Sequence, residues 1–386
     1  MEKILTKKIY NAIKKTLKQK KKYFLHEPYF DKKEQVSLSL ALKNKKVSTY
    51  GEAVRIFESR IRKFTKSKHA FATINGTSAL HLSLFVLGVD QNCEVLIPSL
   101  NFIASTNATL YLKASPHFID VEPDTLGPDS QKLDGYLKKI AFIKNGYCYN
   151  KKTNKIIKAL VVTHVFGHPC KINEIKKLCN KYNIFLIEDA AEGLGSYYKN
   201  KHVGNFGLIG VLSFNGNKII TTGGGGAIIT NSTKLANKIN KFYTNSKILH
   251  KWEYKFSRIG YNYKMPALNA QLGIAQLKKI DFFLKKKRKL YKRYLINFKK
   301  IKEINLFKEP KYCKSNYWLQ TLVLKKPSLT TRNLILNLNK KNNIQTRPIW
   351  QSLFKNKHLK KYQRMDLSNS IDLEKRIINL PSGASE

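Results

Sequence analysis

Between residues 51 and 230 the chain alternates between two hydrophobic periods, and that alternation constrains its fold more than any other feature. Short apolar, strand-like runs at 70–74, 94–97, 117–121, 156–163 and 184–187 are separated by stretches of helical spacing at 53–64, 78–87, 104–112 and 172–182. Strands joined through helices pair in parallel, so the pattern predicts an α/β fold with a mainly parallel sheet covered on both faces. Ligands in such sheets bind beyond the carboxyl ends of the strands, which directs the search for chemistry to the loops there. After Gly260 the pattern changes. Residues 266–294 read as one long helix, and 315–380 as short strands (318–324) and a further helix at 334–340, ending in the run Ile377-Ile378-Asn379-Leu380-Pro381. The expected organisation is an N-terminal helical or extended segment (1–50), a large α/β domain (51–260), and a long helix with a small C-terminal α+β domain (261–386).

Composition narrows the class. The formal net charge is +47, which on its own suggests a nucleic-acid or anionic-surface binder. Yet 62 of the 72 basic residues are Lys and ten are Arg, the side chain better suited to phosphates and base edges. The surplus therefore reads as a solvated lysine surface, with steering of an anionic substrate as a second use. A hydrophobic share of 42% is enough for a sizeable core. The five cysteines are widely spaced, with no Cys-x-x-Cys and no Cys/His ligand spacing, so neither a metal site nor a disulfide framework is expected. No apolar run approaches a membrane span, and the basic start lacks the apolar stretch of a signal peptide, so a reduced, cytoplasmic protein is expected. Residues 1–22 space Ile4, Leu5, Ile9, Ile13 and Leu17 as one face of an amphipathic helix lying on the body.

Three loops carry candidate chemistry. Asn75-Gly76-Thr77-Ser78 joins a strand to a helix and offers hydroxyls and N–H groups at a helix N-terminus. That suits an anion, although an ordinary N-cap would look the same. Glu188-Asp189-Ala190-Ala191 places two carboxylates just past an apolar strand, able to hold a cationic group or simply to cap the turn. In Ser213-Phe214-Asn215-Gly216-Asn217-Lys218, ahead of the run Gly223–Gly226, one lysine stands apart from its surface neighbours. A recessed lysine can act as a Schiff-base nucleophile, and a surface lysine is the bland alternative. Taken together, an anion cradle, a strand-end acid and a recessed lysine are the three contacts that pyridoxal phosphate requires.

On these motifs, with Ile97-Pro-Ser-Leu-Asn-Phe102 and Gly260-Tyr-Asn262-Tyr-Lys-Met-Pro, the sequence resembles the DegT/DnrJ/EryC1/StrS sugar aminotransferases from about residue 26 to 381. The resemblance implies the type I fold of pyridoxal-phosphate enzymes, aspartate-aminotransferase-like. It implies Lys218 as the covalent anchor and proton shuttle, Asp189 at the pyridine nitrogen, and Phe102 stacked on the ring. Gly76, Thr77, Ser78 and Ser213 would hold the phosphate, and Asn262 would reach it from the neighbouring subunit of a homodimer. Glu192 stands where Gln or His is common near the cofactor hydroxyl. His26-Glu27-Pro28, the segment from Thr163 and His164 to Pro169, the glycine run, and Thr346-Arg347-Pro348-Ile349-Trp350 look most like the legionaminic acid (LegC-type) branch of nonulosonate synthesis. His164, Arg347 and Trp350 would then contact substrate. The implied reaction moves an amine from glutamate to the 4-keto carbon of a nucleotide-linked 4-keto-6-deoxyhexose, with a GDP-perosamine-type substrate as the alternative.

Overall fold

The computed structural model describes residues 2–18, 21–49, 51–248 and 250–384; of the N-terminal stretch read as a helix, residues 1, 19 and 20 lie outside these. The alternation becomes one twisted sheet. Its strands are β1 (His69–Thr73), β2 (Cys93–Pro98), β3 (Ser115–Ile119), β4 (Ile156–Thr163), β5 (Phe185–Asp189), β6 (Ile209–Ser213) and β7 (Gly226–Thr230). Across the sheet they run β1-β7-β6-β5-β4-β2-β3, and β7 alone of these runs opposite to the other six. A hairpin, Ala141–Lys144 with Tyr147–Asn150, adds to β4. Strands β2 and β4 to β7 are buried over nearly their whole length, as a sheet covered on both faces demands.

Among the described residues, eight α-helices lie before the C-terminal region: α1 (Glu2–Thr16), α2 (Lys32–Lys43), α3 (Glu52–Thr65), α4 (Gly76–Val86), α5 (Ala104–Tyr111), α6 (Ser130–Ile140), α7 (Ile172–Lys181) and α8 (Thr233–Phe242). The N-terminal amphipathic reading holds in α1 with one change. Ile9 and Ile13, with Leu17 just beyond the helix, join a core with Leu290, Tyr294 and Leu322, while Ile4 faces solvent.

The long helix expected at 266–294 is two helices, α9 (Ala267–Leu277) and α10 (Ile280–Phe298). No proline or glycine marks the break, so the helical period runs through it. The backbone leaves the helix at Lys279, whose ammonium is drawn to Asp31 (3.1 Å) and Glu34 at the start of α2. The break lets α9 pack on α2 and α3 while α10 packs on α1. Beyond them, β8 (Ile304–Leu306), β9 (Gln320–Leu324), β10 (Arg347–Pro348) and β11 (Ile377–Leu380) form a second sheet in the order β8-β9-β11-β10. It is accompanied by α11 (Leu329–Lys341) and α12 (Ser368–Glu374). Among the described residues, no helix is long and apolar enough to cross a membrane.

Candidate active site

The carboxyl ends of β2, β4, β5 and β6, and the loop that follows β1, converge on a cavity of about 690 Å³. The C-terminal sheet closes its far side through Trp318, Arg347 and Trp350. Asn75 lies extended ahead of α4, and its Oδ1 accepts the N–H of Ser78 at 2.7 Å. That cap uses one of the free N–H groups of the first turn and leaves Gly76 and Thr77 on the cavity wall beside Ser213. Close approach is built in, because a Cβ at Gly226 would stand 2.6 Å from the Asn75 backbone.

Asp189 ends β5 with its carboxylate buried. Oδ1 accepts the Ala191 N–H (3.1 Å) and Oδ2 the Ser105 hydroxyl (3.2 Å). Burial pushes its carboxyl above the ordinary value, against the Ala191 N–H and the Lys218 charge. Such a group gains by facing a cation. Lys218 sits in the turn after β6 with 14% of its side chain exposed, and its Nζ lies 3.3 Å from Glu192 Oε1. Glu192 is buried, and its other oxygen accepts the Phe166 N–H at 2.8 Å. Its carboxyl is likewise raised by burial and lowered by Lys218. Phe166 takes a left-handed backbone (φ 55°), rare for an aromatic residue, and so turns its N–H toward that carboxylate. Phe102 stands at the mouth, 55% exposed.

The structure thus brings together Gly76, Thr77, Phe102, Asp189, Glu192, Ser213, Lys218, Arg347 and Trp350. It leaves three candidates off the wall. Ser78 has its N–H committed to the cap. His164 is fully buried, with Nε2 3.0 Å from Glu188 Oε2 and Nδ1 accepting the Cys170 N–H, so it braces β4 against β5. Glu188 is occupied there, accepting the N–H groups of Gly204, Phe206 and Gly207. Asn262 is exposed and pairs with Thr244.

The sequence reading missed Asn101, Thr163 and Trp318. Asn101 and Thr163 line the cavity with a buried Nδ2 and a buried Oγ1 that have no protein partner. Trp318 sets its ring 3.8 Å from Lys218 Nζ, centroid to nitrogen. A polar residue at a strand's carboxyl end, as Thr163 is, or in the loop just beyond it, as Asn101 is, is the signal that could have pointed to them. Nothing local marks Trp318.

An amine, a buried carboxylate that a cation would relieve, a helix start of the kind that suits an anion and unpartnered polar atoms on one wall fit pyridoxal phosphate in size and charge. The pattern of the DegT/DnrJ/EryC1/StrS aminotransferase family matches residues 28–385. The chain is 34% identical to the putative pyridoxal phosphate-dependent aminotransferase EpsN of Bacillus subtilis, over 95% of this chain and 92% of that one. It is 33% identical to the GDP-perosamine synthase of Escherichia coli O157:H7, over 93% and 92%. Helicobacter pylori PseC, an aminotransferase involved in the biosynthesis of pseudoaminic acid, superposes with a TM-score of 0.84 at 26% identity, covering 94% of each chain. The chain belongs to the DegT/DnrJ/EryC1/StrS family and is a pyridoxal-phosphate-dependent sugar aminotransferase.

Proposed function

We propose that this enzyme transfers the amine of glutamate to the 4-keto carbon of a nucleotide-linked 2-acetamido-4-keto-6-deoxyhexose, on a route to a legionaminic-type nonulosonate or surface glycan in the cytoplasm. The observation that carries the reaction is the Lys218 amine, recessed in the cavity beside Glu192 and under the charge of Asp189. The 2-acetamido group and the nonulosonate branch rest on the resemblance of residues 26–28, 163–169 and 346–350. Similarity to a GDP-perosamine synthase favours a second substrate, a GDP-linked 4-keto-6-deoxyhexose.

Pyridoxal phosphate, when bound, supplies an electron sink at the carbon that gives or receives the amine. Lys218 would anchor it and then move a proton to and from that carbon through Nζ. Asp189 would keep a proton on the pyridine nitrogen, Phe102 would cover the ring, and Gly76, Thr77, Ser213 and the α4 N-terminus would hold the phosphate. Trp350 and Arg347 would meet the substrate, the guanidinium facing an anionic group. Asn262, off the wall in its own chain, would serve the site of a second copy in a homodimer. The adjacent segment, with exposed Trp252, Tyr254, Phe256 and Ile259, offers an apolar surface of the kind subunits bury.

The test is direct. Purified protein with cofactor should absorb in the visible range, and Lys218→Ala should remove both that band and glutamate-dependent turnover. A panel of UDP- and GDP-linked 4-keto sugars then separates the two substrates. A colourless Lys218 protein with no turnover on any of them would falsify the reading.

A further inference from the structure

Trp318 arrives from the C-terminal sheet, just ahead of β9, and is fixed on three sides before it touches the reactive lysine. Its backbone N–H donates to Asn316 Oδ1 (2.7 Å), its carbonyl accepts from the buried Lys287 Nζ (2.9 Å), and its indole N–H donates to the carbonyl of Asn217 (2.6 Å). Asn217 is the residue before Lys218, so the last bond pins the turn that carries the amine. The indole face then lies 3.8 Å from Nζ. A ring quadrupole at that distance favours the charged form of an amine, and burial strengthens the effect. The circuit closes through Asn316, whose side-chain amide donates to the carbonyls of Glu192 (2.7 Å) and Leu194 (2.9 Å), while Glu192 faces Lys218. Gly167 permits it: its backbone is left-handed (φ 86°), and a Cβ there would collide with Asn316 Oδ1.

We propose that Trp318 is a positioning residue for Lys218, holding the ammonium against the indole face and the lysine's turn through the Asn217 carbonyl. The C-terminal sheet thereby tunes an amine that the main sheet presents. This rests on the reading of Lys218 as the reactive amine. The groups around that amine are Asp189 and Glu192 from the main sheet, His26, and the Lys287 amine, whose pKa burial pushes well down.

The experiment uses cofactor-free full-length protein labelled with limiting trinitrobenzenesulfonate across a pH series, read by quantitative peptide mass at Lys218. The exposed lysines serve as internal references for folding and reagent. In Trp318→Leu the labelling curve of Lys218 moves toward lower pH, so labelling near pH 8 rises about fivefold while the high-pH plateau holds; Trp318→Phe, which keeps a ring face, stays within about twofold of wild type. Trp318→Met carries the same expectation as Leu should the Leu protein not fold. Identical curves in all proteins, or a change in the plateau alone, would overturn the proposal, since the plateau reports access and the position reports charge. The underlying reading is tested separately. Borohydride reduction of cofactor-loaded wild type should fix the cofactor's mass on the Lys218 peptide, and mass elsewhere removes that reading whatever the curves show.

Discussion

Lys218 and Glu192 show how one buried carboxylate sets a site's electrostatics. A Gln or His at position 192 would offer no full charge, whereas Glu192 splits its two oxygens between the Lys218 ammonium and the Phe166 N–H. Removing one partner of a buried pair costs more than the pair contributes, because the other charge stays behind. Glu192→Gln should keep an acceptor for Phe166 yet take away the nearer of the two carboxylates that face Lys218, lowering stability by on the order of 2 kcal/mol. Urea unfolding of the cofactor-free protein measures this, and Glu192→Leu should lose more, since the Phe166 N–H is then also unpaired. Arg347 calls for a different readout. With Lys218 allotted to the cofactor, it is the one cation left among the described residues lining the cavity. Arg347→Gln should raise KM for the anionic substrates about tenfold, the cost of one charge-assisted hydrogen bond, and leave the visible band in place. An unchanged KM would remove Arg347 from the substrate's path.

At the scale of elements, α4 shows a cap serving a site. The Asn75 side chain takes up the Ser78 N–H and so fixes the direction in which the Gly76 and Thr77 N–H groups point. Asn75→Ala should cost about 1 kcal/mol of stability, typical of a lost N-cap, and should also weaken retention of the cofactor's phosphate. Thermal unfolding and equilibrium dialysis report the two effects separately, and a stability loss with unchanged cofactor affinity would reduce Asn75 to a plain cap. Elements with a strong period were legible. Strands β1 to β5 and helices α3, α4, α5 and α7 were anticipated to within a few residues at each end, because burial on a fixed face writes itself into the spacing. The split of the long helix was not legible, since Lys279 breaks it through ion pairs to residues 31 and 34, about 245 positions away in sequence. Helix α2 falls inside the stretch 1–50 expected only as helical or extended, although Asp31 and Glu34 form a capping box that the sequence displays. The cavity's three loops were readable because each follows a strand of its own period. Trp318 was not, for its meaning depends on a contact across a hundred residues of chain.

For the whole molecule, the charge that dominates the composition stays away from the chemistry, as among the described basic residues only Lys218 and Arg347 line the cavity. A surface carrying +47 repels itself, so the melting temperature should rise with ionic strength as screening sets in, the opposite of a fold held by surface ion pairs. The pH dependence is set by buried groups. His202 accepts the Gly195 N–H at Nε2 and donates from Nδ1 to the Val203 carbonyl, and burial lowers its pKa to about 4. His168, bonded to Ser315 Oγ, is lowered by burial to about 3. For both, the folded value lies below the unfolded one. Their contribution is complete above pH of about 6.5 and is lost as pH falls through the folded values, because the unfolded chain binds the protons first. Glu58 has the opposite sign. It accepts the Ala72 N–H, and burial raises its carboxyl to about 7, so its contribution is present in acid and lost as pH rises toward 7. Between about pH 4.5 and 6.5 the carboxyl therefore offsets part of the histidines' acid lability. Glu58→Gln keeps an acceptor for Ala72 and removes the titration, so stability should fall more steeply with acid in that window, by up to about 1.4 kcal/mol per pH unit. Urea midpoints of the two proteins at half-unit pH steps measure the difference, and parallel curves would show that Glu58 is ionised in the folded protein throughout.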